Sequence, residues 1–347
     1  MVERLPIDTS HGTRDAWEAL LDRAGLRPEQ PLDVVFGMYD DGELIATAAR
    51  DGHRIKCVAI DERHRGGADF HALLSALIAD AYDHRIDRLF CYTTPDAVMA
   101  FKNLGFRPIA ATPEGITFLE RGTPDIHDYI ERLRDENARF EALHGTPEGP
   151  VESIVMNANP FTRGHRHLIK DALTRSDRLH LFIVSEDASM FPADVRRRLV
   201  IEGTKDLSGI VYHPTDHYII SRASFPAYFL KRKDDATETQ ATLDAIVFRD
   251  RIAPALNITH RTVGEEPSDV VTAIYNDCLA RQFRGHLHLT RTPRLTDGDG
   301  VPISASRVRR CLTTGHLEPL PDLVPPTTLD YLLSDAGQAQ IHAENRP

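Results

Sequence analysis

Thr162, Gly164 and His165 fall within one short turn, and Ser304, Ser306 and Arg307 form a second group far downstream. Hydroxyls, an imidazole and a guanidinium at helix starts are the groups that hold phosphate oxygens, because free backbone N–H groups and the helix dipole already favour an anion there. The first group lies in "NANPFTRGHRH", directly after the apolar run Ser153–Met156, and includes Asn157, Asn159 and Phe161. Pro160 stiffens this turn, Gly164 permits close backbone approach, and His165 opens the next helix. The second group lies in "ISASRVRR", where Ser304 or Ser306 supplies an N-cap. Arg307 in the first turn opposes the dipole, which makes sense if it grips a phosphate. The plainer alternatives are a turn with a solvated cap and a Ser-capped surface helix.

Other candidates are weaker. Glu186 and Asp187 follow a strand and can face the site, or simply cap the next helix; Arg222 is a further phosphate candidate or a surface ion-pair residue. His167 is expected to point away from His165 and to be structural. Cys278 and Cys311 fall in helical patterns and read as core. No GxxxxGK[ST] motif is present, so P-loop phosphoryl transfer does not compete.

The elements that must position these residues come in two styles. "LDVVFGMYDDGELIATAARDGHRIKCVAID" predicts three strands broken at Asp40-Asp41-Gly42 and Asp51-Gly52. Leu73, Leu74, Leu77, Ile78 and Ala81 then keep the spacing of an amphipathic helix, and "RLFCYTT" is a strand. A charged helix with an apolar face at Ile126, Tyr129, Ile130 and Leu133 bridges to the second part, with a boundary near Gly145 to Pro150. From Val151 strands alternate with helices, which predicts a parallel sheet with ligands beyond the carboxyl ends of its strands. The expected division is 1–122, a bridging helix and linker 123–150, a catalytic domain 151–335 and a polar, frayed tail 336–347.

Composition bounds the answer. The 347 residues are 41% hydrophobic and 27% charged with a formal charge of −11, which fits a soluble protein and disfavours nucleic acid as main ligand. Cys57, Cys91, Cys278 and Cys311 lack CxxC or Cys/His spacing, so a reducing cytoplasm is expected, with neither disulfide scaffold nor zinc site. The first residues, "MVERLPIDTSHGTRD", have no apolar leader pattern, and no run is long enough to span a bilayer.

"TRGH" and "ISASR" together resemble the signatures (H/T)xGH and ISxSxxR of the nucleotidyltransferase superfamily. Further stretches, "VMNANPFTRGHRHLI", "VSEDASMFP", "IISRASFPAYFLK", "FRDRIAPALNITHRTVGEEP", "ISASRVRRCL" and "LVPPTTLDYL", resemble the citrate (pro-3S)-lyase ligase family over essentially residues 151–333. Upstream, "RHRGGA" is similar to the acetyl-CoA loop of GNAT acetyltransferases through Arg63, Gly66 and Ala68, and "AFKNLGFRPI" to their late segment. The resemblance implies an α/β chain: a Rossmann-like nucleotidyltransferase domain with a parallel sheet, preceded by a GNAT-like mixed α/β domain. It implies that ATP with Mg²⁺ activates acetate as acetyl-adenylate, and that the acetyl group passes to the phosphoribosyl-dephospho-CoA thiol on the acyl carrier subunit of citrate lyase.

On that resemblance His165 and Thr162 are the catalytic pair, with Thr162 donating its hydroxyl to phosphate where relatives often carry His. Asn157, Asn159, Phe161, Thr162, Gly164, His165, Ser304, Ser306 and Arg307 bind ATP, Arg222 and Glu186 add phosphate or Mg²⁺ contacts, and Arg63, Gly66 and Ala68 take the CoA-like arm. The enzyme need supply no nucleophile of its own, because the thiol arrives on the partner. Two alternatives stay open: a nucleotidyltransferase that joins AMP to a phosphorylated small molecule, and a nucleotide- or CoA-sensing module without turnover.

Overall fold

The computed structural model describes residues 1–64, 67–186, 189–219, 233–265 and 270–344. Two compact units emerge: Met1–Tyr129 with the described residues of 222–246, and the described residues of 130–221 and 247–347.

In the first unit, β1 (Val2–Arg4), α1 (His11–Arg23), β2 (Val34–Asp40), β3 (Glu43–Asp51), β4 (Arg54–Ile60), α2 (Ala68–Asp83), β5 (Arg88–Thr93), α3 (Val98–Asn103), β6 (Arg107–Ala111) and β7 (Thr117–Gly122) follow in order. They build a seven-stranded sheet ordered β1-β2-β3-β4-β5-β7-β6. All pairs are antiparallel except β4 with β5. The three expected strands are β2, β3 and β4, and the turns between them close where Asp41 and Gly42 adopt φ of 45° and 80°. Alternation along β2 explains its two covered faces. Val34 and Met38 join Leu73, Leu74 and Leu77 of α2 in one core cluster, while Val35 joins Trp17, Leu20 and Leu21 of α1 in another.

The division between units falls inside α4 (Ile126–His144), whose Ile126, Tyr129, Ile130 and Leu133 are all buried as their spacing predicts. Beyond it come β8 (Val151–Met156), α5 (Arg163–Leu173), β9 (Arg178–Ile183), α6 (Ala193–Thr204), β10 (Ile210–Pro214), α7 (Lys233–Val247), α8 (Ala253–Ala255), β11 (His260–Gly264), α9 (Val270–Phe283), β12 (His288–Thr292), α10 (Ala305–Thr314), α11 (Leu320–Leu323), α12 (Pro326–Leu333) and α13 (Asp335–Glu344). Helix α7 belongs to the first unit up to Ile246.

The second sheet is ordered β10-β9-β8-β11-β12, with every pair parallel. β8 is central, and strand order reverses beside it, so a crevice opens at the carboxyl end of β8. Ile154 and Met156 of β8 pack with Leu181 and Ile183 of β9, Ile169 and Ala172 of α5, and Leu199 and Val200 of α6. That packing fixes the start of α5 at the crevice.

The expected frayed tail after Asp335 is instead α13. Ile341 is buried there, and Gln340 Nε2 donates to the Met190 carbonyl at 3.0 Å, so a polar stretch is held by one apolar anchor and a backbone contact. Among the described residues no helix is long and apolar enough to cross a membrane.

Candidate nucleotide site

The turn after β8 is a helix cap built around one imidazole. Thr162 is the N-cap of α5 in extended conformation, and its Oγ1 accepts from the His165 backbone N–H at 3.2 Å. In return the Thr162 N–H donates to His165 Nδ1 at 3.1 Å, and the Thr162 hydroxyl lies 2.9 Å from the same nitrogen. Nδ1 is thus an acceptor, and the ring proton of the neutral imidazole resides on Nε2. Burial, aided by the Arg294 charge, pushes the His165 pKa down to about 4, so the ring is neutral at pH 7. Thr162 thus orients the histidine and itself lines the cleft.

Gly164 lines the cleft and is also needed for a neighbour within the chain. A Cβ at this position would sit 2.9 Å from the Ile303 carbonyl oxygen, so the glycine lets α5 start against the backbone that leads into α10. Ser304 is the N-cap of α10, its Oγ accepting from the Arg307 N–H at 3.2 Å. The two sequence groups therefore meet through backbone contact at two helix N-termini.

The arginines divide their work. Arg307 is paired with Asp297 at 2.5 Å and is not among the residues lining the cleft. Arg309 Nη1 donates to the Asn159 carbonyl at 2.6 Å and its Nη2 to Ser306 Oγ at 3.1 Å, so this side chain ties the β8 turn to α10. Counted from Ile303, the pattern ISxSxxR ends on Arg309, a signal that was available in the spacing. Arg196, first of the Arg196–Arg198 run, is fully buried. It donates to the Phe191 carbonyl at 2.9 Å and to the Val184 carbonyl and Asn157 Oδ1 at 2.7 Å, and also to the Glu186 carbonyl. It cross-braces the loops after β8 and β9, and its phase with Leu199, Val200 and Gly203 marked it as inward-facing.

The crevice is a cleft of about 360 Å³ whose lining includes Asn157, Thr162, Gly164, His165, Ser304 and Ser306. It also includes Thr272, Tyr275 and Asn276 of α9, and Arg294 beyond β12, none of which the sequence reading selected. His167 lines it too, contrary to expectation, because the cleft wraps the first turn of α5 toward β12. Asn159 and Phe161 do not line it. Asn159 Oδ1 accepts from the Phe191 N–H at 3.1 Å, and Phe161 is buried with its ring stacked 6.0 Å from His165. The Glu186 side chain is likewise outside the lining, and Arg222 and Asp187 lie outside the described residues. Cys278 and Cys311 are buried, as expected for core residues.

The first unit has its own groove of about 550 Å³. β4 and β5 are paired through Arg54↔Phe90, and farther along the groove runs between Val58–Ile60 and Tyr92–Thr94, walled by Phe70 and Phe101. Gly67 contributes to it and caps α2, which begins at Ala68. Arg63 does not line this groove: its Nε donates to Asp61 at 2.9 Å and its Nη2 to Glu43 at 3.2 Å, and it holds the Asp61 pKa at about 2. Gly66 lies outside the described residues.

The chain is similar to several known proteins. The profile of the citrate lyase ligase C-terminal domain matches residues 151–332. A citrate (pro-3S)-lyase ligase of Escherichia coli is 38% identical over 88% of this chain and 86% of its own. One from Haemophilus influenzae is 38% identical over 91% and 93%. Among solved structures, Rv2747 from Mycobacterium tuberculosis in complex with CoA and NLQ covers 35% of this chain and 98% of its own, with 16% identity and a TM-score of 0.30. A bifunctional NMN adenylyltransferase/ADP ribose pyrophosphatase from Francisella tularensis covers 57% and 53%, with 16% identity and a TM-score of 0.35. With identities of this size running through both units and a family profile over the cleft-bearing half, the chain belongs to the citrate (pro-3S)-lyase ligase family of enzymes.

Proposed function

We propose that this ligase activates acetate with ATP in the cleft of the second unit and passes the acetyl group to the prosthetic-group thiol of a citrate lyase acyl carrier subunit. The observation that carries the reading is the meeting of two helix N-termini around a neutral His165 whose Nδ1 is occupied, leaving Nε2–H as donor. Such an arrangement suits the α-phosphate, where charge redistributes as an anionic carboxylate attacks. A carboxylate oxygen bonds to the α-phosphorus, and the bond to the bridging oxygen breaks with its electron pair leaving on pyrophosphate. The thiolate then attacks the acetyl carbonyl, and AMP departs with the former carboxylate oxygen.

Ser304 and Ser306, with the α10 N-terminus, hold the terminal phosphates in this reading, and Asn157 adds a polar contact at the end of β8. Mg²⁺ belongs to the triphosphate: the described lining contains no carboxylate to hold it independently. The groove of the first unit takes the extended pantetheine part of the carrier's arm, between the separating strands β4 and β5. The catalytic portion is residues 151–335 and the arm-binding portion residues 1–122.

The test is acetate-dependent exchange of labelled pyrophosphate into ATP, with AMP release assayed when the carrier is added. Wild type should exchange and His165→Ala should lose the activity by about 100-fold or more, the usual cost of removing a transition-state donor. Wild type that neither exchanges nor forms AMP with the carrier present would defeat the reading.

A further inference from the structure

Arg196 of α6 is fully buried and does not line the second unit's cleft, yet it grips a residue that does. Its Nη1 donates to Asn157 Oδ1 at 2.7 Å and to the Asn157 carbonyl at 3.0 Å, so it holds side chain and main chain together at the first residue beyond β8. A guanidinium offers only N–H donors, and the amide must therefore turn its oxygen toward Arg196 and its nitrogen away. On that other side Nδ2 donates to Ser189 Oγ at 3.2 Å. The amide nitrogen carries two N–H groups, which leaves the second for a ligand in the cleft. Ala158 follows, buried at φ 50°, a left-handed conformation unfavourable for alanine. The bond from Arg196 to the Asn157 carbonyl fixes the chain where it enters that turn.

Arg196 is anchored without help from the amide. Nε donates to the Phe191 carbonyl at 2.9 Å, Nη1 to the Val184 carbonyl at 2.7 Å, and Nη2 to the Glu186 carbonyl. A planar cation held by carbonyls of two loops keeps one orientation, and the amide that faces it keeps one as well. Asn157 thus meets a ligand as a donor, the polarity that a phosphate oxygen requires. We propose that Arg196 is a positioning residue for nucleotide binding: it selects the orientation in which the Asn157 amide donates an N–H to a phosphate oxygen. The inference rests on the nucleotide reading above and deepens it by a residue that acts from outside the cleft.

A double-mutant cycle on MgATP affinity, measured by calorimetry, tests it. Asn157→Ala should weaken MgATP binding about tenfold or more, the scale of a hydrogen bond to a charged group. Arg196→Met should cost a similar factor. The double variant should lose no more than about twofold beyond Asn157→Ala, because the arginine then has nothing to orient. Asn157→Asp adds a readout that mere structural support would not move: it keeps the oxygen for Arg196 and replaces the N–H donor with a carboxylate oxygen. That variant should melt no lower than wild type while binding MgATP more weakly than Asn157→Ala does. If Arg196→Met does not fold, Arg196→Lys takes its place in the cycle. Losses that multiply in the double variant would overturn the inference, as would unchanged MgATP affinity in the Arg196 variant or in Asn157→Asp. A wild type that does not bind MgATP would instead overturn the nucleotide reading itself.

Discussion

The phosphate-donor role proposed for His165 requires its ring proton on Nε2, and the Thr162 N–H fixes that tautomer by occupying Nδ1. Burial and the Arg294 charge then keep the ring neutral down to about pH 4. The unfolded chain protonates this imidazole near its ordinary value of about 6.5, so between there and pH 4 the unfolded state binds the extra proton. Stability therefore rises with pH across that window and is lost as pH falls through it. NMR titration of the His165 ring should show no protonation from pH 8 to 5, and a midpoint above 6 would contradict the assignment. Urea midpoints should drop less between pH 7 and 4.5 in His165→Gln than in wild type. His165 and Ser304 were legible because capping is a local signal, readable from a few neighbouring residues. Arg294 and Arg309 depend on partners distant in the chain, Glu265 and Asn159, which local spacing does not reveal.

At the level of elements, the site depends on how closely α5 and α10 approach, and Gly164→Ala separates two opposing effects. Alanine in a helix is ordinarily favoured over glycine by about 0.5–1 kcal/mol. Here its Cβ would meet the Ile303 carbonyl at 2.9 Å, and backbone cannot swing aside as a flexible side chain can. Overpacking of about 1–3 kcal/mol should win, so the variant should melt lower than wild type and lose pyrophosphate exchange. A higher melting temperature with full activity would show that the two helix starts have room to part. Elsewhere, β2 to β4 were readable because turn residues interrupt alternating apolar runs. β12 was not, since "HLTRT" is an edge strand with only Thr292 buried, and little apolar pattern is required of it. α1 also escaped notice: Trp17, Leu20 and Leu21 hold the i, i+3, i+4 spacing of its buried face, but that face spans little more than one turn of a helix otherwise rich in polar and charged residues. α13 reads as polar tail because Ile341 is its one buried large apolar residue, the rest of its docking coming from the Gln340 contact to Met190 and the close approach at Gly337.

Across the whole molecule, the two units carry clefts of opposite character. The second unit's cleft combines helix N-termini, hydroxyls and a guanidinium, which suits the polyanion proposed for it. The first unit's groove has aromatic walls at Phe70, Tyr92 and Phe101, with Asp96 the charged residue of its described lining, which suits an uncharged, amide-bearing chain laid along strand edges. If adenylation and thiol capture draw on separate clefts, they should be separable by mutation. Thr94 lines the groove and is exposed, so Thr94→Trp can obstruct it without disturbing the core clusters. The variant should exchange pyrophosphate at the wild-type rate when acetate is present. Its KM for the carrier should rise on the order of tenfold, equivalent to about 1.4 kcal/mol of lost binding. Equal loss of both activities would mean that the substitution acts through stability, which a thermal melt would register. An unchanged KM would remove the groove from the reaction and leave capture of the thiol to the second unit alone.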